Sequence, residues 1–243
     1  MRGTRGGCAY CAARPAAFSS RAGTRSPLLV RDPLAWEASG AAAALEPALR
    51  ELGAVAYEGQ GDSPTLEQMQ RAARLAEAEG CRVIVAVGGG TSIDTAKGAA
   101  WCLAGGAIDR APRAPVLPLL AVPTTAGTGS EATHFAVCWY EGVKHSLADE
   151  RLRPKHAVVD SNLHLSLPPR LTATTGLDAL CQSLESLWAR SSTEASRADG
   201  ARAAQLILGA LETAVTQPSP ESRRQMARGA RLAGRAIDVS KTT

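Results

Sequence analysis

Three short stretches carry the residues whose types and spacing could do chemistry. In Gly88, Gly89, Gly90, Thr91, Ser92, Ile93 and Asp94, three glycines end an apolar run. A hydroxyl pair then opens a helical pattern with an acid in its first turn. Glycine admits positive φ and lets a ligand reach bare backbone. A helix start offers unpaired N–H groups and the positive end of the dipole. Together these predict a pyrophosphate cradle. The spacing is neither G-x-G-x-x-G nor G-x-x-x-x-G-K-[ST], and a tight turn beneath a packed helix would use the same glycines. A second glycine-rich stretch, PTTAGTGSE (Pro123 to Glu131), favours the cradle. Its hydroxyls, Thr124, Thr125, Thr128 and Ser130, and its backbone N–H groups suit phosphate and ribose oxygens. The third stretch places Asp178, Gln182 and Glu185 at i, i+4 and i+7, one face of a helix. A carboxylate and an amide one turn apart present two oxygens to a cation. The same spacing describes a solvated polar face, and spacing alone leaves both open.

The elements that must position these groups alternate regularly. Pro27–Val30, Gly53–Tyr57, Val83–Val87, Pro115–Val122 and Ala157–Asp160 are short apolar runs that read as strands. Helical patterns lie between them, from about Trp36 to Leu52, from Thr65 to Glu79, and from Thr91 to Leu103. Ser63 is the expected N-cap of the second, with Pro64 in its first turn and Gly80 as its stop. Strands alternating with helices predict a mostly parallel sheet, whose ligands gather at the strands' carboxyl ends. FAVCWY (Phe135–Tyr140) and VKHSL (Val143–Leu147), joined at Glu141-Gly142, predict a hairpin. Beyond Pro168-Pro169 the pattern turns helical, over 171–190, 194–213 and 220–236. The expected fold is therefore an α/β N-terminal domain with a mostly parallel sheet and glycine-rich phosphate-binding turns over residues 28–167. The start of an all-α metal-binding domain follows over 168–243, and residues 1–27 read as a disordered leader.

Composition narrows the function classes. With 45% hydrophobic and 21% charged residues, the chain is an ordinary soluble globular one. The net charge of +4 comes from scattered arginines without a basic block, which argues against nucleic acid as a partner. No apolar run reaches the ~18 residues of a transmembrane helix. Six dispersed cysteines read as reduced and cytoplasmic. Cys8 and Cys11 form a C-x-x-C without the second pair that zinc needs or the βαβ context of a redox motif. The leader lacks the apolar centre of a secretory signal; its arginine- and serine-rich, acid-free character is compatible with a transit peptide.

GGGTSIDTAK, PTTAGTGSE, VVDSNLHLSLPP and TGLDAL, in this order, resemble the iron-containing alcohol dehydrogenase family from about Leu28 to the end. The resemblance implies a nucleotide-binding domain, an all-helical domain, and a divalent metal (Fe2+ or Zn2+) in the cleft between them. NAD(H) or NADP(H) would exchange hydride with a metal-polarised carbonyl. By motif, Gly88, Gly89, Gly90, Thr91 and Asp94 would hold the pyrophosphate and its surroundings. Thr124, Thr125, Thr128 and Ser130 would line the cofactor, with Lys144 nearby. Asp32 falls where the family reads the adenosine ribose, and an acid there favours NAD. The family's metal helix reads D-A-L-x-H, whereas this chain has Asp178-Ala179-Leu180-Cys181-Gln182. Asp178 and Gln182 are the implied metal ligands, the amide oxygen being a harder, weaker donor than imidazole. The family's two further histidine ligands are expected beyond Thr243, so the chain as it stands is expected to be an inactive fragment. His134, His145, His156 and His164 then read as surface or loop histidines.

DALCQSLESLW, THFAVCWYEGVKHSL and the ending VSKTT resemble the branch that reduces phosphonoacetaldehyde to 2-hydroxyethylphosphonate. Asp178 would serve catalysis through the metal. Lys241, with Ser240, Thr242 and Thr243, would meet the phosphonate dianion; a solvated lysine at a chain end is the plain alternative. A general dehydrogenase of short-chain alcohols and an inactive nucleotide-binding remnant are the competing functions. The expected partners are a small aldehyde or alcohol and, in a homodimer, a second copy of the chain.

Overall fold

The computed structural model describes residues 26–242 except Gln60 and Asp62. Residues 1–25 of the leader expected over 1–27, with Cys8 and Cys11, and the chain end at Thr243 lie outside the described residues.

Five strands form one parallel sheet: β1 (Leu28–Arg31), β2 (Val55–Glu58), β3 (Ile84–Gly88), β4 (Leu119–Pro123) and β7 (His156–Ala157), in the order β2-β1-β3-β4-β7. Strand side chains alternate between faces, and both faces are covered. Leu28, Val30, Ile84 and Ala86 pack under α3 (Leu66–Ala78) and α4 (Gly90–Leu103). Leu29, Val85 and Val87 face Trp36 of α1 (Pro33–Ala38) and Leu45 and Leu49 of α2 (Ala41–Glu51). Helix α4 is buried continuously from Ser92 to Trp101, which makes it the central helix of the layer. The predicted hairpin forms from β5 (Phe135–Tyr140) and β6 (Val143–Ala148).

Beyond Pro168 the chain is helical: α5 (Pro169–Trp188), α6 (Glu194–Thr216) and α7 (Pro220–Ser240). They pack through small residues, Ala179, Ala203, Ala210, Ala230 and Ala233, around Ile207 and Met226. Among the described residues no helix is long and apolar enough to cross a membrane.

Four expectations need correction. The helix expected over 36–52 is two, because Gly40 takes φ +80 between them. The strand expected from Pro115 begins only at Leu119, since Pro115 and Pro118 have no N–H for a ladder. The cap of α3 is Thr65, not Ser63: its side chain accepts from the Gln68 N–H. Pro64 lies outside that helix, and its carbonyl accepts from the Trp139 N–H at 2.8 Å. The strand expected over 157–160 shortens to His156–Ala157, because the Asp160 side chain caps the 3-10 turn Ser161–His164.

Candidate cofactor cradle and active site

Register places the two glycine-rich loops side by side. Val87 pairs with Val122 and Gly88 with Pro123, so both loops leave adjacent parallel strands at the same level. Arg31 pairs with Val87, which sets Asp32 beside Gly88. Gly88 takes φ +150, and a Cβ there would stand 2.3 Å from Ser92 Oγ; only glycine fits. The helix α4 begins after Gly89 with no side-chain cap. No side-chain oxygen caps its first N–H groups, which leaves its positive end to a ligand. Thr125 and Thr128 close over the glycines: a Cβ on Gly90 would meet Thr128 Oγ1 at 2.7 Å. The Thr124 N–H donates to the Gly88 carbonyl at 2.9 Å, while the Thr124 hydroxyl is buried without a partner. An uncapped helix start, glycine backbone and an orphaned buried hydroxyl fit the phosphates and ribose of a dinucleotide.

Other predicted cofactor residues act from beneath. Ser130 Oγ donates to Asp94 Oδ1 at 2.5 Å, and the Val137 N–H donates to Asp94 Oδ2 at 3.0 Å. Both side chains are buried, and burial pushes the Asp94 carboxyl up against the opposing pull of Lys97 and these bonds. Asp94 thus anchors the second loop and β5 to α4. The Asp32 carboxylate already accepts from the Ala35 N–H at 2.7 Å, capping α1.

Sequence reasoning missed Lys97. Its side chain is wholly buried, and Nζ donates to the carbonyls of Thr133 (2.9 Å) and Phe135 (2.7 Å) and to Thr133 Oγ1 (2.9 Å). Burial pushes the ammonium down to about 8, against the pull of Asp94, Glu131 and Asp238. A lone lysine in the apolar run from Ala96 to Ala100 was the available signal. Glu131 is likewise buried and raised by burial, with Arg231 opposing.

The helical layer closes onto the second loop by backbone contact. A Cβ on Gly127 would meet Thr175 Cβ of α5 at 2.7 Å, and one on Gly129 would stand 2.5 Å from Gly234 Cα of α7. Asp178 follows Thr175 on the same helix face. Lys144, exposed on β6, carries the positive charge that weakly favours the ionised forms of both Asp94 and Asp178. The Asp178 carboxyl is reached by solvent, yet crowding walls raise it before Gln182 and Lys144 oppose the shift. Gln182 Nε2 donates to Asp178 Oδ2 at 3.0 Å, leaving Gln182 Oε1 buried without a partner.

As a metal centre this donor set is incomplete. Among the described residues no group of three or more His, Cys, Asp or Glu could hold an ion. One carboxylate and one amide do not fit the metal by themselves. Lys241 caps α7 in the left-handed region (φ 57), its side chain exposed, and Ser240 Oγ lies 3.1 Å from Thr242 Oγ1. Two of the four histidines sit in the connecting turns expected of surface or loop histidines but are not on the surface. His164 is buried, its Nε2 donating to the Pro123 carbonyl at 3.0 Å, and burial pulls its pKa down. His134 is largely buried against Asp238.

The family model described as iron-containing alcohol dehydrogenase matches residues 9–161. Phosphonoacetaldehyde reductase of Streptomyces viridochromogenes is 37% identical over 222 residues, 82% of this chain and 54% of that protein. NAD-dependent methanol dehydrogenase of Bacillus methanolicus is 34% identical over 228 residues, 89% of this chain and 59% of that protein. The chain spans about half the length of the curated relatives it matches. The solved sulfoacetaldehyde reductase of Bifidobacterium kashiwanohense, in complex with NAD+, superposes with a TM-score of 0.84 at 29% identity. That match covers 94% of this chain and 63% of that one.

Proposed function

The chain belongs to the iron-containing alcohol dehydrogenase family, and from that premise we propose that it forms the cofactor-binding part of a cytoplasmic NAD(P)(H)-dependent oxidoreductase acting on an aldehyde or alcohol. Phosphonoacetaldehyde, reduced to 2-hydroxyethylphosphonate, is the favoured substrate. The in-register pair of glycine-rich loops carries this reading. In it, residues 28–167 are the dinucleotide-binding unit and 168–243 the first part of the helical one. Gly88, Gly89, Gly90 and Thr91 receive the diphosphate, while Thr124, Thr125 and Thr128 line the ribose and nicotinamide side. Asp94 and Ser130 hold that lining in place. Asp32 sets a negative charge where a 2′-phosphate would be repelled, which favours NAD.

A reduced nicotinamide held there by Gly88, Gly89, Gly90, Thr91, Thr124, Thr125 and Thr128 would supply the hydride chemistry of the reaction. The chain's own part is to bind, orient and exclude water, with Lys144 placing positive charge beside Asp178. Asp178 and Gln182 offer two oxygens to the family's Fe2+ or Zn2+, a set that needs donors beyond these two.

The test is titration of the chain with NADH, followed by cofactor fluorescence. Saturable binding tighter than ~1 mM, in the usual range for enzyme ligands, is expected. Gly90→Val should abolish it, because its side chain would enter the space of Thr128. Folded protein without saturable binding at millimolar NADH would overturn the cradle.

The substrate's anionic tail rests on Lys241. A charge-assisted contact is worth about 1.5–3 kcal/mol. Lys241→Ala should therefore weaken 2-hydroxyethylphosphonate binding to the NAD+-loaded chain roughly 10–150-fold. A neutral alcohol of similar length should be unaffected. Equal losses for both ligands, or none, would remove Lys241 from the site and favour a general alcohol dehydrogenase.

A further inference from the structure

Asp238, in the last turn of α7, joins the helical layer to the segment that follows the second glycine-rich loop. Its side chain is 11% exposed. Oδ1 accepts from the His134 N–H at 2.7 Å and lies 2.6 Å from His134 Nδ1. Oδ2 accepts from Arg153 at 2.5 Å, and Arg153 also pairs with Glu150. With a carboxylate as its neighbour, His134 Nδ1 carries the proton. A carboxylate bonded on both oxygens by directional donors fixes position more sharply than an apolar contact, which tolerates sliding.

The same segment is gripped from the other side. Lys97 holds the carbonyls of Thr133 and Phe135, the residues flanking His134. Asp94 holds Ser130 and Val137. The cradle helix α4 and the end of α7 therefore meet through one stretch, Ser130–Val137. Asp238 stands outside the apolar cluster that holds α5, α6 and α7 together.

We propose that Asp238 is a positioning residue, which holds Ser130–Val137 in its cofactor-receiving shape and sets the end of α7 against it. The assignment rests on the cofactor role proposed above. Without Asp238 the segment must be ordered by the ligand itself, and that cost falls on affinity.

Site-resolved amide hydrogen exchange and NADH titration on the chain and two variants provide the test. Asp238→Ala should speed exchange of the His134 amide at least roughly tenfold, since that N–H loses its acceptor. NADH binding should weaken about 10–150-fold, the range of a lost charge-assisted bond. The amides of β1 and β3 should keep their protection. Asp238→Asn keeps an oxygen for the His134 N–H but turns an N–H2 group toward Arg153, so it should restore the exchange protection of His134 and recover only part of the NADH affinity. Unchanged NADH affinity in the alanine variant would overturn the assignment. Loss of protection across the sheet would overturn it too, by making Asp238 a folding residue. Absence of NADH binding by the unsubstituted chain would instead overturn the cofactor role itself.

Discussion

Replacing Lys97 with methionine is expected to cost the chain about 3–5 kcal/mol of stability, the range for removing one partner of a buried charged network. Methionine matches the length of the lysine but donates nothing. The carbonyls of Thr133 and Phe135 would be left without the ammonium they share. Asp94 and Glu131 would lose the one cation that opposes their burial from within α4. Urea denaturation at pH 7 measures the loss, and a change below ~1 kcal/mol would show that the network relaxes without its lysine. The pH dependence carries a sign of its own. In the folded chain Lys97 releases its proton near pH 8, whereas the unfolded chain keeps it to about 10.5. Between those values the unfolded state binds more protons, so this group's contribution to stability rises with pH. The difference between the unsubstituted chain and Lys97→Met isolates that rise, which the variant must lack.

Gly129→Ala is expected to be of similar size. Gly129 sits at φ +63, a conformation that costs a residue with a Cβ about 1–2 kcal/mol. Its Cβ would also stand 2.5 Å from Gly234 Cα and 2.9 Å from the Ala230 carbonyl. Both are backbone atoms of a helix, which cannot step aside as a side-chain end can, so overpacking adds about 1–3 kcal/mol. A loss of about 2–5 kcal/mol, with weakened NADH binding as the loop parts from α7, is the expected result. Gly209→Ala is the control. That exposed glycine lies inside α6, a Cβ there meets nothing within 4 Å, and the change should be neutral or slightly stabilising. Equal effects at 129 and 209 would mean that the contact with Gly234 carries no cost.

The runs Ile84–Val87 and Leu119–Val122, each followed by glycine and hydroxyl residues, were legible because turn chemistry and apolar periodicity act over a few residues. The hairpin at Glu141-Gly142 and the three long helices were legible for the same reason. The motif order placed the chain in its family. Local pattern misled where a tertiary demand overrode it. Trp36 to Leu52 reads as one helix until Gly40 must turn the chain so that Trp36 and Leu45 both face the sheet.

What the sequence determined by itself is the set of local units: buried strands, glycine turns, amphipathic helices, and the residue types gathered at strand ends. What only the tertiary structure decided is how those types are used. Asp94 reads as a cofactor ligand, yet its partners Ser130 and Val137, 36 and 43 residues away, turn it inward. Lys97 reads as an ordinary helical lysine until Thr133 and Phe135 bury it. Asp238 and His134 are 104 residues apart, and no spacing rule relates them. Periodicity records which face of an element is apolar. It holds no record of which distant donor will meet a buried carboxylate, because that follows from sheet register and helix packing, which the whole chain sets together.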